Sequence, residues 1–186
     1  RMQELGSAYI FKRAIEDNQE YKKPQDIMDD KDAMKELKRI WKSIGKLDEV
    51  DEQWIESFYA QQNALLKKIG RPKFTKFNRE GGFMEYVTDV VKKFGISSKD
   101  NWDPADVWLI EDEDQARTLI DKVLNRGKGK TTMSRLSEFN AIMRILFNTK
   151  KVFGISLKKV AKGESARIEF LNHSQKFLKS LDSIHM

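Results

Sequence analysis

The stretch "KKVFGISLKKV", residues 150–160, has the composition of a buried strand with lysines at both ends. Side chains alternate between the two faces of a strand. One face would carry the apolar residues Phe153, Ile155 and Leu157, which we expect to pack inward. The other would carry a glycine, a hydroxyl and an ammonium, at Gly154, Ser156 and Lys158. Because this row makes a poor core and Gly154 allows close backbone approach, we expect a floor for an anionic ligand.

A second strand is predicted at "ADVWLI", residues 105–110, which is short, β-branched and aromatic and follows an Asp-Pro pair. Asp106 would share one face of this strand with Trp108 and Ile110. An aspartate is unusual in a hydrophobic strand unless it caps or ends the strand or belongs to a site. If the two strands are neighbours, Asp106 and Lys158 lie side by side at one end of the sheet.

Most of the remaining chain is predicted to be helical. Apolar residues recur at helical spacing, and several segments end at a glycine suited to a C-cap. The predicted helices cover residues 32–45, 51–70, 83–95, 113–127, 134–150 and 173–184. A third strand is predicted at 164–172, and a proline and a glycine pair mark residues 71–82 as a linker.

This order of elements predicts an α/β fold with a small mixed sheet, a helical N-terminal part and two helices inserted between core strands. We expect residues 1–79 to form the helical N-terminal region. Residues 80–186 would form the α/β core, with the helical insertion at 112–150.

The composition is that of a globular protein with a strongly charged surface. Of the 186 residues, 39% are hydrophobic and 34% are charged, and cysteine is absent. The lack of cysteine excludes disulfides and thiolate metal sites. No apolar run approaches the roughly 18 residues typical of a membrane helix, and the first residues are polar and unlike a signal peptide. We therefore expect a cytoplasmic protein without a membrane partner.

The net charge of +6 is unevenly distributed. Residues 121–186 carry 14 Lys and Arg against 5 Asp and Glu, whereas residues 1–120 carry 21 against 24. A basic surface attracts polyanions, of which nucleic acid is the commonest, although solubility alone also accounts for such charge. The residues predicted to contact a phosphate backbone are Arg126, Lys128, Lys130, Lys150, Lys151, Lys159 and Lys162.

An aspartate beside a lysine on neighbouring strands supports metal-assisted hydrolysis of a phosphodiester bond. Asp106 would hold Mg²⁺ or Mn²⁺, which acidifies a water molecule and neutralises phosphate charge. Lys158 would orient the water and offset charge in the transition state, and Ser156 would contact metal-bound water. One acid is rarely sufficient, so Glu85 is the first candidate for a second metal ligand and Glu169 is the next.

These residues resemble the motif of the PD-(D/E)XK nucleases, a superfamily that includes restriction endonucleases and phage exonucleases. Asp106 in "PADVWLI" looks like the motif aspartate. The tripeptide "SLK", residues 156–158, looks like the (D/E)-x-K element with a serine in place of the acid. Glu85 stands where many members carry a helical glutamate. The resemblance covers residues 80–180 and implies a restriction-endonuclease-like sheet, endo- or exonucleolytic cleavage of DNA and dependence on Mg²⁺.

Two other interpretations of the sequence stay open. The missing second acid at position 156 also fits a non-catalytic nucleic-acid-binding or assembly protein that uses the basic C-terminal surface. A protein-interaction module built on the helical first half is the other. The sequence leaves the oligomeric state open, a homodimer included. For a nuclease, we expect Asp106→Ala to abolish metal-dependent cleavage while leaving folding largely intact.

Overall fold

The computed structural model describes residues 2–45, 52–96, 105–126 and 129–157, and the backbone of residues 169–170. These residues form a mixed α and β structure that is mostly helical and contains one small sheet. The described helices are α1 (Met2–Ile15), α2 (Pro24–Asp29), α3 (Lys31–Ser43), α4 (Glu52–Ile69), α5 (Gly82–Lys92), α6 (Glu113–Arg126) and α7 (Thr132–Asn148). The described strands are β1 (Lys76–Asn78), β2 (Val107–Ile110), β3 (Val152–Ser156) and β4 (Glu169–Phe170).

The sheet has the order β1-β2-β3-β4, and each neighbouring pair of strands is antiparallel. In the central pair, Val107 lies opposite Ile155 and Ile110 lies opposite Val152. The two strands predicted at 105–110 and 152–160 are therefore neighbours in the sheet, a pairing that the sequence left open. The expectation of a mixed sheet is wrong for the described strands. The helix pair α6 and α7 returns the chain to the end of the sheet where β2 finished, so β3 runs antiparallel to it.

Helices cover both faces of the sheet. One face packs against α1 and α4 in a cluster that includes Phe11 and Leu65. The sheet residues on this face are Val107, Leu109, Phe153 and Ile155. The other face packs against α5, α6 and α7 through Trp108, Ile110 and Val152. The strands β2 and β3 are consequently the centre of a three-layer helix–sheet–helix arrangement.

The strand that begins at Val152 has the inward face that its sequence predicts, but Gly154 does not form part of a ligand floor. The three apolar side chains assigned to the inward face are all buried: Phe153, Ile155 and Leu157. Gly154 is buried too, and its cross-strand partner is Trp108. A Cβ at Gly154 would lie 3.2 Å from Cη2 of that indole and 3.1 Å from Cβ of Ala105. The glycine therefore makes room for a core tryptophan, and the prediction that it opens a floor for a ligand is wrong.

The five predicted helices that fall in the described residues are confirmed, with ends shifted by at most three residues. The predicted linker at 71–82 contains strand β1, which was missed because Phe77 is the one apolar residue among its three. The helix predicted at 173–184 and most of the strand predicted at 164–172 lie outside the described residues. Within the described part of the chain, no helix is both long and apolar enough to cross a membrane.

The part of the chain before residue 80 contributes directly to the sheet. It supplies the edge strand β1 and the covering layer formed by α1 and α4. A further apolar cluster joins α1 to α2, α3 and α4 and contains the buried side chains of Trp41 and Phe58. The division of the chain into two regions at residue 79 stays a prediction, but the sheet draws on both of them.

The contact between Gly154 and Trp108 provides a test of the sheet centre. We expect Gly154→Ala to lower the free energy of unfolding by about 1–3 kcal/mol, because the added methyl group overpacks a buried position. In a Trp108→Phe background the distal indole atoms that the methyl group would meet are absent. There the substitution should cost at least about 0.5 kcal/mol less. Urea unfolding of the four proteins measures the difference, and equal costs in both backgrounds would contradict the assigned contact.

Candidate functional site

An open cleft of about 620 Å³ lies at the end of the sheet where β2 begins. The first turn of α1, the loop between β1 and α5, one side of α5 and the start of β2 form its walls. We call it the Asp106 cleft. Its charged lining residues are Glu4, Arg79, Glu80, Glu85, Asp89, Lys92 and Asp106. Two of the predicted metal ligands, Asp106 and Glu85, therefore line the same cleft although they come from different elements.

Asp106 precedes β2 and joins the ends of two strands. Its backbone N–H donates to the carbonyl of Ile155 at 2.8 Å. Its Oδ2 accepts hydrogen bonds from the backbone N–H of Leu157 at 2.6 Å and from the hydroxyl of Ser156 at 3.1 Å. The other carboxylate oxygen, Oδ1, accepts no hydrogen bond from the described residues. The strand-capping role expected as one alternative for Asp106 is thus present, and one oxygen remains for a ligand in the cleft.

The end of β3 brings further predicted site residues to Asp106. Ser156 is the last residue of β3 and donates to Asp106. Its register partner in β4 is Glu169, so the backbone of the second candidate acid lies next to Ser156. The start of β2, the end of β3 and the backbone of β4 therefore meet at this end of the sheet. Lys158, the predicted lysine of the site, follows Ser156 by two positions and lies outside the described residues.

Glu85 lies near the start of α5 on the side that lines the cleft. The helix begins after Gly81, whose φ of +71° is a backbone conformation that glycine adopts readily. The opposite side of α5 is fixed in the core by the buried residues Phe83, Val87, Val90 and Val91, and buried Met84 also lines the cleft. Glu85 and Asp89, one helical turn apart, are exposed and line the cleft. The structure therefore brings Glu85 to the cleft of Asp106, while its role as a metal ligand stays a prediction.

Two cleft residues, Arg79 and Glu4, were missed by the sequence analysis. Nε of Arg79 donates to Oε2 of Glu4 at 2.5 Å, and Nη1 donates to Glu80. Burial raises the pKa of Glu4, but the hydrogen bond and the charge of Arg79 contribute to a net pKa below the usual value. Arg79 and Glu4 are 75 positions apart, so no spacing pattern connects them. The one available signal was an arginine just before a double glycine.

The lining of the cleft is predominantly acidic, with five carboxylates and two basic side chains. The two basic groups are engaged, because Arg79 pairs with Glu4 and Glu80 and Nζ of Lys92 lies 3.4 Å from a carboxylate oxygen of Asp89. The surface that a ligand would meet is therefore negative, which favours a cation. Among the described residues, no group of three or more Asp, Glu, His or Cys side chains is arranged to hold a metal ion.

The two lysines that precede β3 have structural partners. Lys150 follows α7 by two residues in a left-handed conformation, with φ of 58°, and its Nζ donates to the carbonyl of Ile69 at 3.4 Å. Nζ of Lys151 lies 2.5 Å from a carboxylate oxygen of Glu111. Both lysines therefore fasten the start of β3 to neighbouring elements, and their predicted contact with phosphate stays a prediction.

The other predicted phosphate contacts lie at a different place. Arg126 is exposed at the end of α6, and Lys130 precedes α7 and pairs with Glu138. The helix α7 has 17 residues and is about 25 Å long, so it separates these two residues from Lys150 and Lys151. The described members of the predicted basic set therefore occupy both ends of α7. The remaining members lie outside the described residues: Lys128, Lys159 and Lys162.

Comparison of the chain with protein-family models, with curated proteins and with solved structures found no match. The fold class follows from the observed helices and sheet, and the resemblance to the PD-(D/E)XK nucleases stays a prediction.

The hydrogen bonds of Asp106 change the expected effect of its substitution on folding. We now expect Asp106→Ala to lower the free energy of unfolding by about 1–3 kcal/mol, because the N–H of buried Leu157 loses its acceptor. Asp106→Asn keeps an acceptor oxygen and should cost less, and Ser156→Ala should cost at most about 1 kcal/mol. Chemical denaturation measures the three values. Equal stability of the wild type and Asp106→Ala would show that these bonds do not form.

Proposed function

We propose that the protein is a divalent-cation-dependent nuclease that hydrolyses phosphodiester bonds of DNA in the Asp106 cleft. One observation carries this proposal: Asp106 and Glu85 line one open, negatively charged cleft, and the end of β3 lies against Asp106 just before Lys158. The backbone position of Glu169 opposite Ser156 adds support for a restriction-endonuclease-like arrangement.

The carboxylates of Asp106 and Glu85 supply oxygen atoms of the kind that Mg²⁺ and Mn²⁺ take as ligands. In proteins Mg²⁺ usually keeps several waters and is held by one or two carboxylates together with substrate phosphates. Asp106, through Oδ1, which accepts no hydrogen bond from the described residues, and Glu85 would hold the ion, and Glu169 is a further candidate from β4. A cation bound there acidifies a water molecule and neutralises charge on the phosphate.

Each side chain has a distinct task in this proposal. The hydrogen bonds from the end of β3 to Oδ2 fix the carboxylate of Asp106, so Oδ1 is oriented before any ligand binds. Ser156 positions Asp106 by donating to it, instead of contacting metal-bound water as its sequence suggests. Lys158 would orient the attacking water and offset negative charge in the transition state. Arg79 would contact a phosphate oxygen with its remaining N–H groups.

A non-catalytic function is favoured by a different observation. Oδ2 of Asp106 ties β2 to β3, which is a sufficient structural reason for an aspartate at this position. The neighbouring residue is the neutral Ser156, where the family motif has a second acid. These features suit a protein that binds nucleic acid without cleaving it. Binding without cleavage in either Mg²⁺ or Mn²⁺ would favour this alternative.

Assays with supercoiled plasmid and with labelled single-stranded and duplex oligonucleotides test the nuclease proposal. We expect cleavage in Mg²⁺ or Mn²⁺ and none in EDTA. Asp106→Asn and Glu85→Gln should each slow cleavage at least about 100-fold, because the cation they hold stabilises transition-state charge by several kcal/mol. The rates are compared per folded molecule, since Asp106 also contributes to stability.

The matched control is Asp114→Asn, which removes an acid from the first turn of α6, outside the cleft. Its rate should stay within about twofold of the wild-type rate, because substitutions at exposed positions rarely change energies by more than about 0.5 kcal/mol. Full activity of Asp106→Asn would exclude Asp106 from the site. No cleavage by the wild type with any of these substrates and metals would contradict the proposed nuclease.

A further inference from the structure

The helix α3 is fixed to the protein by its apolar face and by its N-cap. Ala33, Leu37 and Trp41 are buried in a cluster with residues of α1 and α4. The backbone N–H groups of Asp32 and Ala33 donate to Oδ1 of Asp30 at 3.0 Å each, which satisfies two otherwise unpaired donors of the first turn. The outward face of α3 is therefore held in a defined position.

The cap that holds α3 is ionised at every pH relevant to binding. Burial raises the pKa of Asp30, but the N–H of Ala33 and the side chains of Arg13 and Tyr21 outweigh it and set the pKa at about 2. Arg13 and Tyr21 each donate to Oδ2 of Asp30 at 2.7 Å. These bonds connect the N-terminal end of α3 to α1 and to the loop between α1 and α2.

The outward face of α3 carries a line of four lysines. With 3.6 residues per turn, positions 31, 35, 38 and 42 fall within an arc of about 60° and span about 16 Å along the helix. We call this line the α3 lysine stripe; its members are all exposed and are Lys31, Lys35, Lys38 and Lys42. No other helix in the described residues has more than two basic residues in one such line.

The described residues do not neutralise the α3 lysine stripe. None of its lysines forms an ion pair within the described part of the chain, whereas the adjacent Arg39 lies 2.6 Å from a carboxylate oxygen of Glu36. The helix holds five basic and two acidic residues, a net charge of +3. In the basic last third of the chain, by contrast, Lys130 and Lys151 are both paired with glutamates.

We propose that the α3 lysine stripe binds the phosphate backbone of nucleic acid. Each strand of duplex DNA carries one phosphate per about 3.4 Å of helix axis, so a line of cations about 16 Å long can reach several phosphates. Lysines that contact phosphates position a nucleic acid without reading its sequence. A line of cations one residue wide is complementary to a linear polyanion.

An anionic membrane is the competing partner for a basic helix. Helices that bind at a membrane surface bury large apolar side chains beside their basic residues. The exposed large apolar side chains of the described residues lie on α6 and α7 and not on α3; they are Leu119, Met133 and Ile145. The stripe therefore has charge for an anionic surface but no apolar residues to insert, and nucleic acid is the favoured partner.

This inference goes beyond the proposed function, because binding at α3 requires neither the carboxylates of the cleft nor a metal ion. The helix α1 connects the two regions, since Glu4 lines the Asp106 cleft and Ile10 packs in the cluster that supports α3. A nucleic acid held on the stripe would be attached to the same helical layer that forms one wall of the cleft.

Fluorescence anisotropy with short labelled single strands and duplexes tests the inference, in EDTA so that metal-dependent cleavage is absent. The stripe variant combines Lys31→Gln, Lys35→Gln, Lys38→Gln and Lys42→Gln, which preserve helix propensity. We expect its affinity to fall at least about tenfold. The slope of log K against log salt concentration should become shallower by about 3.6 for a duplex, as expected for four lost phosphate contacts.

A control variant removes the same net charge from exposed lysines elsewhere on the protein. It combines Lys67→Gln, Lys73→Gln, Lys93→Gln and Lys122→Gln. Its affinity should fall less than about threefold and its salt slope should change by less than about 1, because these residues make no shared line of contacts. Circular dichroism and thermal unfolding verify that both variants are folded.

Three results would overturn the inference. Equal losses of affinity in the stripe and control variants would mean that net charge alone drives binding. Failure of the wild type to bind either oligonucleotide would mean that nucleic acid is not the partner of the stripe. Stripe-dependent binding to vesicles of phosphatidylserine and phosphatidylcholine, with DNA binding unchanged in the stripe variant, would assign α3 to a membrane. The first and third results leave metal-dependent cleavage unaffected, so the two proposals can fail separately.

Discussion

The hydrogen bonds between Asp106 and the end of β3 set the geometry on which the cleft depends. The backbone of Asp106 donates to Ile155 and its Oδ2 accepts from Leu157, so the start of β2 and the end of β3 are held in one register. Removing the acceptor of a buried N–H lowers the stability of the fold, and so does burying a carboxylate that has no hydrogen-bond donors. Asp106 therefore combines a structural bond through one oxygen with an available oxygen in a cleft that it shares with Glu85.

Alternation along two strands was sufficient to predict which residues share a face and enter the core. It did not establish that the strands are neighbours, and the hydrogen bond from Ser156 to Asp106 is a finding of the structure. It could not predict what lies over Gly154, because a cross-strand neighbour depends on register. Two helices separate the strands in the sequence, so no local pattern fixes their register. Only the structure shows that Trp108 occupies the space that the glycine leaves.

Other parts of the fold have no local sequence pattern that would predict them. The strand β1 has a single apolar residue among three, so alternation is not visible in it. The pair formed by Arg79 and Glu4 joins positions 75 residues apart, and its existence follows only from the packing of α1 beside the sheet. Helical spacing alone predicts the α3 lysine stripe, but the summed charge of residues 1–120 is negative and gives no indication of it. Charge summed along a chain does not report charge gathered on one face of a helix.

Anomalous diffraction from crystals soaked in Mn²⁺ tests most directly whether Asp106 and Glu85 hold one divalent cation. We predict an anomalous peak in the Asp106 cleft within about 2–2.5 Å of a carboxylate oxygen of Asp106. Glu85 should lie beside the same ion, either as a ligand or through a water molecule. A peak at other acids, such as residues 111–114, with none beside Asp106 would contradict this assignment.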